Sequence, residues 1–333
     1  MNIFLAILAL VGGFVLLIKG ADWFVEGSSS VAKLLKVPTI IIGLTVVALG
    51  TSLPEASVSI SSALKGANSL AVSNVVGSNI FNTLVVLGAS ALMVPVNVQP
   101  NSVKKEIPFS ILCTFALLGS LFFGHNKAVP AGDVNAAVVE NTYTLTRIGG
   151  LVLVAFFAFY MYWQISSALK ARKNGELEEE EDVKTMKPLM SIIAIVGGVA
   201  CIIIGGNFVV DGASAIAMKF GMSETLVGMT IVAIGTSLPE LVTSMVAAKK
   251  GESDLALGNA IGSNIFNIVF ILGFSALISP MTVNILAIID TIAVIGISAL
   301  VLAFSATGKK ISRTEGGIMV VAYIAYFVYM FLR

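Results

Sequence analysis

An acidic residue beside a proline, in the middle of a long apolar run, is poorly tolerated in most folds, and this chain places that combination twice. Gly50-Thr51-Ser52-Leu53-Pro54-Glu55 lies inside an apolar run from about Val37 to Leu64. Gly235-Thr236-Ser237-Leu238-Pro239-Glu240 repeats it letter for letter, 185 residues later. From Gly43 to Gly88 against Gly228 to Gly273, 25 of 46 positions are identical without a gap, which chance does not give. A second block, Asn74-Val75-Val76-Gly77-Ser78-Asn79-Ile80-Phe81-Asn82, is answered by Asn259-Ala260-Ile261-Gly262-Ser263-Asn264-Ile265-Phe266-Asn267. The chain therefore reads as two homologous halves, 1–168 and 188–333, joined by a linker over 169–187.

The surroundings of the repeats fix the solvent. With 57% hydrophobic and only 12% charged residues, the charged fraction is roughly half that of a soluble domain. The chain is read as an all-α polytopic membrane protein. A bilayer core needs about 20 apolar residues per helix. Ten segments meet that need: 3–32, 37–64, 70–95, 106–124, 147–167, 188–217, 223–248, 254–280, 285–306 and 315–332. The first and sixth are long enough to imply tilt. No basic n-region precedes the first, so it is taken as a retained helix. Cys113 and Cys201 sit far apart in apolar runs and suggest neither a disulfide nor a metal site.

Lys and Arg counted over alternate loops set the orientation. With the N-terminus outside, the inner loops carry fourteen and the outer loops five. Both termini then face outward, the linker with its run Glu176 to Asp182 is cytoplasmic, and 125–146 is external. Five helices per half is an odd number, so the halves insert with opposite orientation. That is the inverted repeat of secondary transporters, whose substrate sites lie near the midplane on broken helices.

An ionised carboxylate at that depth costs several kcal/mol unless it is paired or faces a polar cavity. No Lys or Arg lies within a turn or two of Glu55 or Glu240 in sequence. Bound cations or protons must neutralise them. Helical spacing sets Thr51 and Ser52 on the Glu55 side, and Thr236 and Ser237 on the Glu240 side. Pro54 and Pro239 free backbone carbonyls about one turn earlier. Carboxylate, hydroxyl and carbonyl oxygens suit hard cations such as Ca2+ and Na+. Ser78 with Asn82, and Ser263 with Asn267, add neutral oxygens beside Gly77 and Gly262.

A proline in a membrane helix is often only a kink, and hydroxyls there often bond back to their own helix. The matched duplication favours a site. Whether Asn74, Asn79, Asn259 and Asn264 are ligands or packing glue is open at this point. Asp22, Glu26 and Asp211 read as interfacial, and Asp290 as the acidic start of helix nine, favourable to the helix dipole. His125 reads as solvated. The acidic linker reads as solvated too, since it lacks the order of a calcium-binding loop.

The two blocks Gly-Thr-Ser-Leu-Pro-Glu and Gly-Ser-Asn-Ile-Phe-Asn in each half resemble the alpha repeats of sodium/calcium exchangers, within the calcium/cation antiporter superfamily. The resemblance implies ten helices in two inverted halves, Na+-driven Ca2+ exchange, and ion sites between helices two, three, seven and eight. It implies a Ca2+ site of Glu55 and Glu240 with the main-chain oxygens of Thr51 and Thr236. Flanking Na+ sites would add Ser52, Ser237, Ser78, Ser263 and the carbonyls of Ala48 and Ala233, with Asn82 and Asn267 at the centre. The K+-dependent branch has Asp where this chain has Asn267, so the resemblance is to the K+-independent exchangers.

The expectation is an electrogenic Na+/Ca2+ antiporter of the cell membrane, working by alternating access as helices one and six move against the rest. It needs no cofactor, nucleic acid or obligatory protein partner. Ca2+/H+ exchange is the alternative within transport. An intramembrane hydrolase lacks its motifs here, and a passive channel would show uncoupled flux.

Overall fold

The computed structural model describes residues 2–65, 68–127, 141–174, 186–222, 231 and 233–332. The acidic run, most of the 125–146 loop and the first turns of the seventh expected helix lie outside the described residues.

Helical segments that continue one another are numbered together here. They are α1 (Ile3–Leu35), α2 (Thr39–Thr51 and Leu53–Leu64), α3 (Leu70–Met93), α4 (Ser102–Phe123) and α5 (Arg147–Lys173). The second half contains α6 (Pro188–Lys219), α7 (Leu238–Lys249, after a short turn over Ala233–Gly235), α8 (Ser253–Ile278), α9 (Ile285–Gly308) and α10 (Arg313–Leu332). Among the described residues seven of these are long and apolar enough to cross a bilayer, and α2 makes an eighth if its two bent parts count as one span. The chain is a multi-pass membrane protein.

Local chemistry sets the boundaries. The Asn2 side chain accepts from Phe4 N at 3.1 Å to open α1, and Lys36 closes it in the left-handed region (φ 53°) with its N–H on the Ala32 and Lys33 carbonyls. This is the usual way to satisfy a helix C-terminus. Asn284 caps α9 by accepting from Ala287 N at 3.2 Å. The helix therefore begins at Ile285 and Asp290 falls in its second turn, not at its start; the amide cap is the signal that the acidic reading overlooked.

Short strands, which hydropathy does not reveal, tie loops together. β1 (Val96–Asn97) pairs antiparallel with β5 (Lys310–Ile311). β3 (Asn141–Leu145) pairs with both β2 (His125–Lys127) and β4 (Met281–Val283). The β1–β5 and β3–β4 pairings join the first half to the second, and β2–β3 lies within the first.

Burial separates core from periphery. The apolar windows of α3 and α8 are each 78% buried, against 22% for α1 and 28% for α5 and α6. Thus α3 and α8 lie at the centre, and the exposed faces of α1, α5 and α6 suit lipid. The long helices α1 and α6 run antiparallel along a seam of small residues. A Cβ at Gly13 would stand 2.7 Å from the Gly205 carbonyl oxygen, one at Gly20 2.8 Å from that of Gly198, and one at Gly27 2.8 Å from that of Ser191. Small residues allow such backbone contact between membrane helices.

Candidate functional site

Both copies of the hexapeptide break their helix at the serine. α2 bends by 52° at Ser52 (φ −81°, ψ 7°), and Ser237 (φ −94°, ψ 6°) precedes α7 in the same conformation. Pro54 and Pro239 lie in the first turn of the helix that follows, where their missing N–H costs nothing. Glu55 and Glu240 share that turn, at the positive end of the helix dipole.

Both carboxylates are fully buried, and each is met by the serine of the opposite half. Ser52 Oγ donates to Glu240 Oε1 at 2.9 Å, and Ser237 Oγ donates to Glu55 Oε1 at 2.8 Å. Spacing along one helix had suggested that each serine would serve its own glutamate; the bend turns it toward the other half. Ser78 stands beside Glu55, and its Oγ lies 3.1 Å from Ser237 Oγ. Ser263 stands beside Glu240. The two carboxylates are close enough to repel each other. Oε2 of each has no hydrogen-bond partner among the described residues, and none of the described ion pairs involves either group. A fully buried carboxylate with a bare oxygen facing a second one is stable only if positive charge is supplied from elsewhere.

The threonines differ from the serines. Thr51 Oγ1 donates to Asn259 Oδ1 (2.9 Å) and lies near the Val47 carbonyl (3.1 Å), so its hydroxyl is engaged within the protein. The Ala48 carbonyl accepts from Ser52 N at 3.1 Å, with Thr51 Oγ1 3.4 Å away. Thr236 lines a cavity of about 380 Å³ between α2, α6 and α7, together with Pro54, Asn207 and Pro239. Ala233 is helical, and its side chain lies outside the described set.

Around this centre α3 and α8 each carry a π turn, Asn82–Val86 and Phe266–Leu272, starting at Asn82 and one residue before Asn267. Such turns relax the helix ladder and recur at functional sites. Asn82 and Asn267 are fully buried. Asn267 Nδ2 donates to Asn79 Oδ1 at 3.1 Å while, among the described residues, its Oδ1 has no partner and neither polar atom of the Asn82 carboxamide has one.

The four asparagines left undecided by sequence are engaged within the protein. Asn259 Nδ2 reaches Ser244 Oγ (2.9 Å) and the Glu240 carbonyl (3.2 Å), and Asn74 Nδ2 reaches Ser59 Oγ (3.0 Å). Asn79 Nδ2 donates to the Asn264 carbonyl (3.1 Å), and Asn264 Nδ2 to Thr83 Oγ1 (2.7 Å). Sequence reasoning missed Thr83, which lies just past the matched block and is not repeated in the other half. Asp22 and Glu26 form a partly exposed cluster with Lys250, at 3.3 and 2.7 Å, as befits an interface. Among the described residues no group of three His, Cys, Asp or Glu side chains could hold a metal; the centre offers two carboxylates and neutral oxygens.

Comparison with known proteins places this geometry. The family model described as sodium/calcium exchanger protein matches residues 5–166 and 190–332. A putative antiporter, CaxA of Alkalimonas amylolytica, is 40% identical over 94% of this chain and 95% of its own. The sodium/calcium exchanger MaX1 of Methanosarcina acetivorans is 33% identical over 97% of this chain and 98% of its own. The fold is similar to that of the sodium-calcium exchanger NCX_Mj, soaked with 10 mM Na+ and no Ca2+, with a TM-score of 0.80, 30% identity, and coverage of 98% and 99% of the two chains. With its duplicated acidic motif at the core of a matching fold, this chain belongs to the sodium/calcium exchanger family of membrane transporters.

Proposed function

We propose that the protein exchanges Na+ for Ca2+ electrogenically, by alternating access around Glu55 and Glu240, with both ions competing for the same carboxylates. The observation that carries this reading is the reciprocal donation of Ser52 to Glu240 and Ser237 to Glu55, which leaves one bare oxygen on each buried carboxylate. In this reading Ca2+ is bound by Glu55, Glu240 and the main-chain oxygens of Thr51 and Thr236. Na+ also uses Ser52, Ser237, Ser78, Ser263 and the carbonyls of Ala48 and Ala233, with Asn82 and Asn267 lining the centre. Two formal charges neutralise one divalent cation, and among the described residues the centre offers no third carboxylate for a K+-dependent cycle.

The exchange of contacts between halves supports a pseudo-twofold arrangement, in which residue i meets the equivalent of j while j meets the equivalent of i. With five helices per half, such an axis lies in the membrane plane. On this reading ten spans form two inverted repeats, 1–168 and 188–333. The 169–187 linker is cytoplasmic, and both termini face outward from the cell membrane.

The test is uptake of radiolabelled Ca2+ into proteoliposomes under an imposed Na+ gradient. Uptake that follows the Na+ gradient and responds to membrane potential is expected. Uptake driven equally well by a proton gradient in Na+-free medium would replace the reading with Ca2+/H+ exchange. Protons must compete with cations for the two carboxylates, so exchange falls on acidification and recovers as Ca2+ is raised. Acid inhibition that Ca2+ cannot relieve would assign the titration to another group.

A further inference from the structure

Four asparagines at the centre form two equivalent pairs, Asn79 with Asn82 and Asn264 with Asn267, 185 residues apart. A strict twofold would give them matching bonds, and they do not match. On one side Asn267 Nδ2 donates to Asn79 Oδ1 (3.1 Å) and Asn79 Nδ2 donates directly to the Asn264 main-chain carbonyl (3.1 Å). On the other side Asn264 Nδ2 donates to Thr83 Oγ1 (2.7 Å), and Thr83 Oγ1 donates to the Asn79 carbonyl (2.7 Å). A hydroxyl is thus inserted as a relay where the first side has a direct bond. The position equivalent to Thr83 is Ile268, which has no hydroxyl to insert. Downstream of the relay, Asn264 Oδ1 has no partner among the described residues, and neither does Oδ1 or Nδ2 of Asn82. This holds whichever way the Asn82 amide is turned.

We propose that Thr83 is a positioning residue: by drawing Asn264 away, it leaves the Asn82 carboxamide untethered as the neutral group that adapts to the ion, while Asn267 stays anchored to Asn79. The inference rests on Asn82 being a ligand, as read above. The desolvated carboxamide of Asn82 has an acceptor for a cation and a donor for that cation's water. Asn267 has only its acceptor left, because its donor is committed. Loss of Asn82 should therefore weaken Ca2+ binding more than loss of Asn267.

Thr83→Val keeps the shape and removes the hydroxyl, so Asn264 can take up the direct bond and its Oδ1 can capture Asn82 Nδ2. The full-length exchanger in proteoliposomes is the assay, with half-saturation and saturated rate measured for Ca2+ and Na+. A rise in Ca2+ half-saturation of roughly threefold to tenfold is expected, with a smaller change in saturated rate. Thr83→Ser should restore the wild-type value. In an Asn82→Ala background, Thr83→Val should add nothing. An equal penalty in that background, or none in either, would overturn the relay. If Asn82→Ala leaves ion dependence untouched in an active exchanger, the ligand reading itself fails, and the proposal with it. Ile268→Thr tests the same idea from the other half: by adding a relay there it should make Asn267→Ala as harmful as Asn82→Ala, and no such gain counts against the proposal even if Thr83→Val does not fold.

Discussion

The two halves agree at the carboxylates and disagree around them. Phe24 fills the space against Gly50, where a Cβ would stand 2.9 Å from the ring. At the equivalent place Val210 covers Gly235, and the cavity of about 380 Å³ beside it is lined by Leu53 and Pro54 of the first hexapeptide as well as Thr236 and Pro239 of the second. Gly262 is packed against Leu44 and Ala48, whereas its counterpart Gly77 meets nothing within 4 Å among the described residues. Lys250 holds Asp22 and Glu26, whereas the equivalent Lys65 makes no ion pair with Asp211 among the described residues. One sequence repeated thus sits in two different surroundings. A duplicated element can thus hold a shared site fixed while its surroundings differ.

The strongest way to break the comparison is to make the carboxylates unequal. Glu55→Gln and Glu240→Gln should each abolish Ca2+ exchange at ordinary concentrations, costing ~3 kcal/mol or roughly a hundredfold in affinity. Titration calorimetry and vesicle flux on the purified variants would show it, and exchange at near wild-type rate in either variant would remove the shared site.

Next in size come the seams. Gly198→Leu forces side chain into the Gly20 carbonyl and the Phe24 backbone, each 2.8 Å from the added Cβ. It should cost about 1–3 kcal/mol, read as a lowered melting temperature in detergent. Gly12→Ala and Gly197→Ala meet nothing within 4 Å among the described residues and should melt like the parent.

A third carboxylate sharpens the asymmetry at the centre. Asn267→Asp should raise cation affinity or make transport sensitive to K+ or protons, and the flux assay repeated with K+ and at low pH reads this. Asn82→Asp should have the larger effect of the two, because Asn82 is the untethered member.

The smallest effect concerns the flanking charges. Lys250→Ala removes partly exposed pairs worth up to about 1 kcal/mol, so the end of α1 that they tie should loosen only slightly. Lys65→Ala should be silent. Labelling rates of cysteines placed at Val25 and Val210 compare the flanks, and equal changes in both variants would refute the difference.

Much of the site was legible in the sequence because its rarest ingredients are chemically conspicuous: Glu55 and Glu240 in apolar runs, each after a proline, at one constant offset. The helices followed from hydropathy. What stayed hidden depends on contacts between residues far apart in the chain. That Ser52 serves Glu240 follows from the bend at Ser52, which helical spacing ignores. Thr51 looked like a ligand by its hydroxyl, yet that hydroxyl bonds to Asn259, 208 residues away. Thr83 carried no signal, since its meaning lies in its difference from Ile268. The strands between loops were illegible because two or three residues cannot establish an alternating pattern.

The seam between α1 and α6 has a mechanical consequence. Glycines recur every seventh residue on both sides, at Gly13, Gly20 and Gly27 and at Gly198, Gly205 and Gly212. Contact is made by backbone, so a slip of one helix along the other would press Cβ atoms into carbonyls until the next glycine arrived, roughly 10 Å further on. The pair is indexed like a toothed rack and must travel as a single rod. Because Phe24 of that rod sits against Gly50 and Gly206 lies over Pro239, any stroke along its axis is felt at both hexapeptides at once.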